Sequence, residues 1–247
     1  MGHAERVYVV LGGGGAIGRA LATAVVAEGA RVVLAGRRPE PLAAAASALG
    51  PAAVACPTDA RVAADVDAAL EAARDRWGRL DGVACCVGSI LLKPAHLTSL
   101  DEWDDVLATN LRTAFVAVRA AAPRLDRGGS IVLVSSAAAT VGLANHEAIA
   151  AAKAGVDGLT RAAAATYAGR GVRVNAVAPG LVDTPLAARI TSVAASRQAS
   201  EAMHPLGRLG TADDVAAAIG FLLSERAAWI TGEVLAVDGG LASVRRR

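Results

Sequence analysis

Lysine is nearly absent from this chain: of 25 basic residues only Lys93 and Lys153 are not arginine. Where Arg serves almost every surface need for a cation, an amine at one position answers a local requirement. Aromatic residues are only 3% of the chain, and its two tyrosines are Tyr8 and Tyr167, so few side chains could act as a phenolic acid. Three cysteines, Cys56 and the adjacent Cys85 and Cys86, lack metal-ligand spacing. They read as small core residues of a reducing cytoplasm rather than as a disulfide framework. No uninterrupted apolar run reaches the roughly 18 residues that a bilayer span needs. Met1-Gly2-His3 opens no signal peptide, and Arg6 stands where a myristoylation signal wants Ser or Thr. Twenty-five Lys+Arg against 23 Asp+Glu leave a formal charge of +2, which excludes both a nucleic-acid footprint and a polyanionic tail. The terminal Arg245-Arg246-Arg247 reads as a solvated tail.

What is present is apolar and regular. Hydrophobic residues make up 54% of the 247, and short β-branched runs alternate with long Ala-rich stretches at helical period. That alternation is the signature of βαβ units around a parallel sheet, here as one α/β domain over 1–247. Strands are expected at Val7 to Leu11, Arg31 to Ala35, Ala52 to Ala55, Gly82 to Val87, Ser130 to Val134, Val172 to Val177 and Glu233 to Val237. Helices are expected at about 17–28, 40–49, 61–76, 99–122, 147–168 and 211–224, their alanines giving good propensity and small faces against the sheet. The stretch from Pro179 to Leu209 has no strong periodicity and reads as a lid or binding segment.

Directly after the first strand runs Gly12-Gly13-Gly14-Gly15-Ala16-Ile17-Gly18, followed by a helical stretch. Such a turn lets the backbone approach a pyrophosphate, while the helix offers free N–H groups and a positive dipole end. Gly12, Gly14, Gly15, Ile17 and Gly18 are the candidate phosphate-loop contacts. The second strand ends at Gly36-Arg37-Arg38, where a free ribose 2′-hydroxyl would call for Asp or Glu. Arg37 and Arg38 suit a 2′-phosphate, hence NADP(H) over NAD(H), unless they are simply a solvated pair.

From this point the sequence resembles the short-chain dehydrogenase/reductase family, over nearly its whole length. The resemblance implies a three-layer Rossmann fold, a doubly wound parallel sheet of about seven strands. It makes Asp59, with Ala60, the adenine-side position, and Asn110, Ser136 and Lys153 members of the catalytic set. Asn175 through Pro179-Gly180-Leu181-Val182-Asp183-Thr184 looks like the nicotinamide-side segment, with Pro179, Gly180, Val182 and Thr184 as cofactor contacts. Pro205 to Arg208 and Val237 to Gly240 resemble the family's closing helix and strand.

Three departures stand out. Leu11 and Ala16 replace the usual Thr and middle Gly of the phosphate loop. Cys85-Cys86-Val87-Gly88 replaces the family's Asn-Asn-Ala-Gly, so Cys86, Val87 and Gly88 carry over as backbone contacts. Most important, the position one helical turn before Lys153, which the family fills with a catalytic Tyr, is Ile149. In the family hydride moves between the nicotinamide and a carbonyl carbon while the Tyr passes the proton, Lys lowers its pKa and holds the ribose, and Ser polarises the carbonyl. Ile149 has no proton to give.

His146 is the candidate replacement: it precedes Ile149 by three residues and Lys153 by seven, so the three share a face if the helix already starts there. Residues at this point in the family also line the substrate pocket without moving protons. Glu147 reads instead as a first-turn acid favoured by the helix dipole. Lys93 sits beyond the fourth strand, at the edge where substrates enter or simply on an exposed loop. Met203 and His204 face the pocket or fill the core. The resemblance implies a small-molecule substrate and a homo-oligomer, tetramer or dimer, paired through the Ala-rich faces at 114–122 and 162–168. The leading expectation is NADPH-dependent reduction of a small carbonyl, imine or activated alkene by an altered proton route. The alternatives are a catalytically impaired cofactor-binding homologue, natural or a knockout, and a non-redox lyase or isomerase. No metal is expected.

Overall fold

In the computed structural model, which describes residues 2–244, seven strands form one parallel sheet in the order β3-β2-β1-β4-β5-β6-β7. The Arg245 to Arg247 tail lies outside the described residues. The first half runs β1 (Val7–Leu11), α1 (Ala16–Ala27), β2 (Arg31–Gly36), α2 (Pro39–Leu49), β3 (Ala53–Pro57), α3 (Ala63–Trp77) and β4 (Gly82–Cys85). The second half runs α4 (Leu100–Leu107), α5 (Thr113–Ala121), β5 (Gly129–Val134), α6 (Glu147–Tyr167), β6 (Val172–Pro179), α7 (Ala188–Thr191), α8 (Ala194–Met203), α9 (Ala212–Leu223) and β7 (Val234–Val237).

Alternation along the strands builds the two outer layers. On β1, Val7, Val9 and Leu11 face a cluster shared with α3, α5 and α6. Tyr8 and Val10 face the opposite cluster, shared with α1, α2 and α9. Every residue of β1 is buried, as a central strand covered on both faces requires. Side-chain caps fix two helix starts. Ser99 and Glu102 form a reciprocal capping box at α4, and Thr211 and Asp214 do so at α9, each satisfying donors that a helix start leaves free.

β3 and β6 each run two residues past the expected end, to Pro57 and Pro179, and three other segments differ from the sequence reading. β4 stops at Cys85 rather than Val87, because its pairings with β1 and β5 end at Leu11↔Cys85 and Cys85↔Leu133. The helix expected over 99–122 widens into a π turn at Ala108–Arg112 between α4 and α5. Pro179 to Leu209 is not bare loop but carries α7 and α8. Because α8 buries none of its residues fully, no apolar stripe announces it.

Candidate active site

The strand order reverses between β1 and β4, and in open α/β sheets ligands bind at the carboxyl ends of the strands flanking that point. Backbone packing shapes the crevice there. Gly12 has φ +81°, and a Cβ on it would lie 2.9 Å from the carbonyl carbon and oxygen of Cys86. A side chain at Gly18 would collide with the Gly12 carbonyl oxygen, so α1 starts hard against the loop that precedes it. The result is a cleft of about 720 Å³.

The structure gathers most of the expected cofactor positions around this cleft. Gly12, Gly14, Gly15, Ile17 and Gly18 line one end, with Arg37 and Arg38 at the close of β2. Asp59, Ala60, Cys86, Val87, Gly88 and Thr184 line the rest. Arg37 and Arg38 are exposed. Asp59 is engaged by Arg61, whose Nη2 donates at 2.7 Å and Nε at 3.1 Å, and that pairing holds the Asp59 carboxyl below the usual range. Arg61 also lines the cleft; a single Arg leading into a helix gave no sign of this in the sequence.

Beyond the cleft lies a buried polar floor. Lys153, on α6, is buried and donates from Nζ to the Val134 carbonyl at 2.8 Å. Desolvation pulls its pKa down to about 8. Asn110, also buried, sits in the π turn. Its Oδ1 accepts from the Ser89 N–H at 3.1 Å, and its Nδ2 donates to Ser89 Oγ and to the Val106 carbonyl, both at 3.0 Å. Gly88 fits between these two side chains: a Cβ there would lie 3.1 Å from Asn110 Oδ1 and 3.5 Å from Lys153 Nζ. Positions 88, 110 and 153 therefore converge. Ser135 plays a packing role, its hydroxyl donating to the Lys153 carbonyl at 3.2 Å. Ser136 differs: its Oγ accepts from the Ala138 N–H at 3.2 Å, which leaves its own O–H to donate.

Ser136 opens on a second cavity of about 180 Å³, where it meets His146 and Ile149. His146 is the N-cap of α6 (φ −106°, ψ 12°), not a residue of the helix, so the shared face expected for a helix starting at 146 is replaced by a shared cavity wall. Its Nδ1 lies 2.8 Å from the Ala144 carbonyl. A carbonyl only accepts, so Nδ1 carries a hydrogen, and in the neutral form of the ring Nε2 is the nitrogen without one. His204, buried in the same wall, has both nitrogens engaged. Nδ1–H donates to the Ser200 carbonyl at 2.6 Å, and Nε2 accepts from the Leu181 N–H at 3.1 Å. Pro179, Gly180 and Met203 also line this cavity, whereas Val182 is buried, pairs with Gly210 and lines neither one. No tyrosine lines it among the described residues. Tyr8 is buried in β1 with its hydroxyl 2.9 Å from His3 Nδ1, and Tyr167 ends α6 against the core.

Other candidates fall away from the site. Lys93 Nζ is bridged to both carboxylate oxygens of Glu102, at 2.7 and 2.9 Å, and this holds the loop to α4. Glu147 lies in the first turn of α6, its Oε1 accepting from the Ala95 N–H at 3.4 Å. Among the described residues no three His, Cys, Asp or Glu side chains gather as metal ligands, and no helix is long and apolar enough to cross a membrane.

With this geometry in view, comparison with known proteins is specific. A family model described as enoyl-(acyl carrier protein) reductase matches residues 14–242. The chain is 39% identical to 2-(S)-hydroxypropyl-CoM dehydrogenase 3 of Xanthobacter autotrophicus, over 97% of this chain and 98% of that one. It is also 39% identical to cis-4-hydroxycyclohexanecarboxylate dehydrogenase of Sinomonas cyclohexanicum, over 98% of each. A solved short-chain type dehydrogenase/reductase from Mycobacterium ulcerans superposes with a TM-score of 0.94 at 35% identity, covering 99% of this chain and 92% of that one.

Proposed function

The chain belongs to the short-chain dehydrogenase/reductase family, an oxidoreductase family that uses nicotinamide cofactors, and from that premise we propose an NADP(H)-dependent enzyme that moves its proton through His146. The residues fit the nucleotide. The glycine turn offers backbone to its phosphates at the start of α1, and Arg37 and Arg38 offer guanidinium groups to a 2′-phosphate. Lys153 has one acceptor, Val134, and its remaining N–H groups are available to a ribose. When bound, the nicotinamide would accept or supply hydride.

One observation carries the reading. Around Ser136, in the position for substrate, His146 is among the described residues the one titratable side chain of the cavity wall with a polar atom left free. Ser136 donates its O–H to the substrate oxygen, and His146 takes or returns the proton at Nε2. Ile149, at the position the family reserves for Tyr, contributes only apolar wall. A small carbonyl or its alcohol, an imine or an activated alkene are the substrates of this scheme. The three free cysteines fit a reducing compartment such as the cytoplasm. The Ala-rich faces of α5 and α6, with Phe115 half exposed on α5, favour a homo-oligomer, dimer or tetramer, which light scattering would detect.

Absorbance at the nicotinamide band across a panel of ketones, imines, enones and alcohols tests the proposal, with turnover lost in His146→Ala as the supporting result. A second reading, a cofactor-binding homologue with little turnover of its own, is favoured by Ile149. Tight NADPH binding without turnover, together with ketone reduction appearing in Ile149→Tyr, would establish that reading instead.

A further inference from the structure

We infer that the second cavity selects a neutral alcohol about the size of a single ring, an inference that rests on the proposed redox reading for its chemistry but on the cavity alone for its binding. Size gives the first limit. About 180 Å³ is close to the roughly 150 Å³ that accommodates benzene in an apolar protein cavity. The walls give the second: Ile90, Leu92, Leu143, Ile149, Leu181 and Met203 supply hydrocarbon, and no Lys, Arg, Asp or Glu lines the cavity among the described residues.

Three backbone donors of the wall are already engaged. The Ala138 N–H is taken by Ser136 Oγ, the Gly180 N–H by the Val237 carbonyl and the Leu181 N–H by His204 Nε2. A carboxylate or sulfonate placed here would lose hydration without meeting a Lys or Arg side chain, which burial penalises.

The polar pair gives the third limit. Ser136 presents a donor and His146, in its neutral form, an acceptor on the same wall. A hydroxyl satisfies both at once, since its lone pair takes the serine hydrogen and its O–H meets Nε2. A ketone offers only lone pairs and leaves Nε2 facing an oxygen without a hydrogen between them. Oxidation then breaks the substrate O–H bond with the proton passing to Nε2, while the carbinol hydride leaves to an oxidised nicotinamide nucleotide and the C–O bond becomes a carbonyl.

Direct calorimetry, which needs no turnover, tests this on the full chain with and without NADPH, using cyclohexanol, cyclohexanone and cyclohexanecarboxylate. Cyclohexanol should bind about tenfold more tightly than the ketone and at least a hundredfold more tightly than the carboxylate. His146→Phe should erase the alcohol preference while ring binding persists. Leu181→Arg should bring the carboxylate up to the alcohol, with circular dichroism confirming that both variants fold. Equal binding of alcohol and carboxylate, or no binding of any of the three, overturns the inference. Selective alcohol binding with no turnover upholds it and overturns the redox reading instead.

Discussion

The large cleft and the small cavity lie on the same edge of the sheet, and the segment after β6 serves both, through Thr184 and Pro185 in one and Gly180 and Leu181 in the other. They are built from different material. The cleft is made of backbone and bordered by Arg19, Arg37, Arg38 and Arg61. Its defining contacts are glycine against carbonyl, at Gly12 with Cys86 and at Gly18 with Gly12. The small cavity is made of side chains from separate loops and helices, with hydrocarbon walls and four polar side chains, Ser136, His146, Ser200 and His204. A charged nucleotide needs close main chain and cations, whereas an apolar substrate needs only shape and one well-placed polar pair. On the proposed reading, nucleotide capture and proton transfer are therefore separable, and Ile149 can stand in the phenol's place without disturbing the cleft.

The greatest expected loss comes from filling the backbone contact of the cleft. Gly18→Val should lower NADPH affinity at least about a hundredfold or prevent folding, read by nucleotide fluorescence alongside circular dichroism. A folded variant with normal affinity would break the claim that main chain shapes the cleft. His146→Ala acts on the other side of the comparison. Turnover should fall by about 10²–10⁴ while the NADPH dissociation constant stays unchanged, and a parallel fall in affinity would show that the two cavities are not separable.

Lys153, buried between them, gives a signature in stability. Its pKa is depressed from 10.5 to about 8, so between those values the unfolded chain holds more of this proton than the folded one. Its destabilising effect is fully present below about pH 8 and is relieved as pH rises toward 10.5, a change of about 3 kcal/mol at roughly 1.4 kcal/mol per unit. Lys153→Met should lack this rise in nucleotide-free denaturant titrations, and an identical pH profile in both proteins would contradict the depressed value. The smallest effect belongs to the edge of the cleft. Arg37→Glu should weaken NADPH by about 10- to 100-fold, the range for a lost hydrogen bond to a charged group, and leave NADH little changed. Equal loss for both nucleotides would remove Arg37 from 2′-phosphate recognition.

Most of the fold could be read directly because its signals are local. Most strands are short runs rich in β-branched residues, the long helices are Ala-rich, and the glycine turn lies in consecutive residues. The errors fell where local signals stop. β4 looked longer because Cys86 and Val87 continue its apolar run, yet after the Cys86 N–H meets the Leu11 carbonyl, Gly12 at φ +81° turns β1 away and the ladder ends. The π turn at Asn110 keeps a nearly helical pattern and so reads as unbroken helix. Arg61 is held at the cleft by Asp59 and by Asp105 of α4, a pairing between separate segments.

The order of residues by itself determined the parallel α/β architecture, the nucleotide turn, the arginine end of β2 and the absence of a tyrosine one turn before Lys153, because each is written in adjacent or helically spaced positions. The tertiary structure alone decided that His146 caps α6 with its Nε2 free, that His204 is fully engaged, and that Ser136 and Ile149 share an uncharged cavity. Those facts depend on which carbonyls, amides and side chains from distant segments come within hydrogen-bond or contact distance, and such distances exist only once the sheet has brought the segments together.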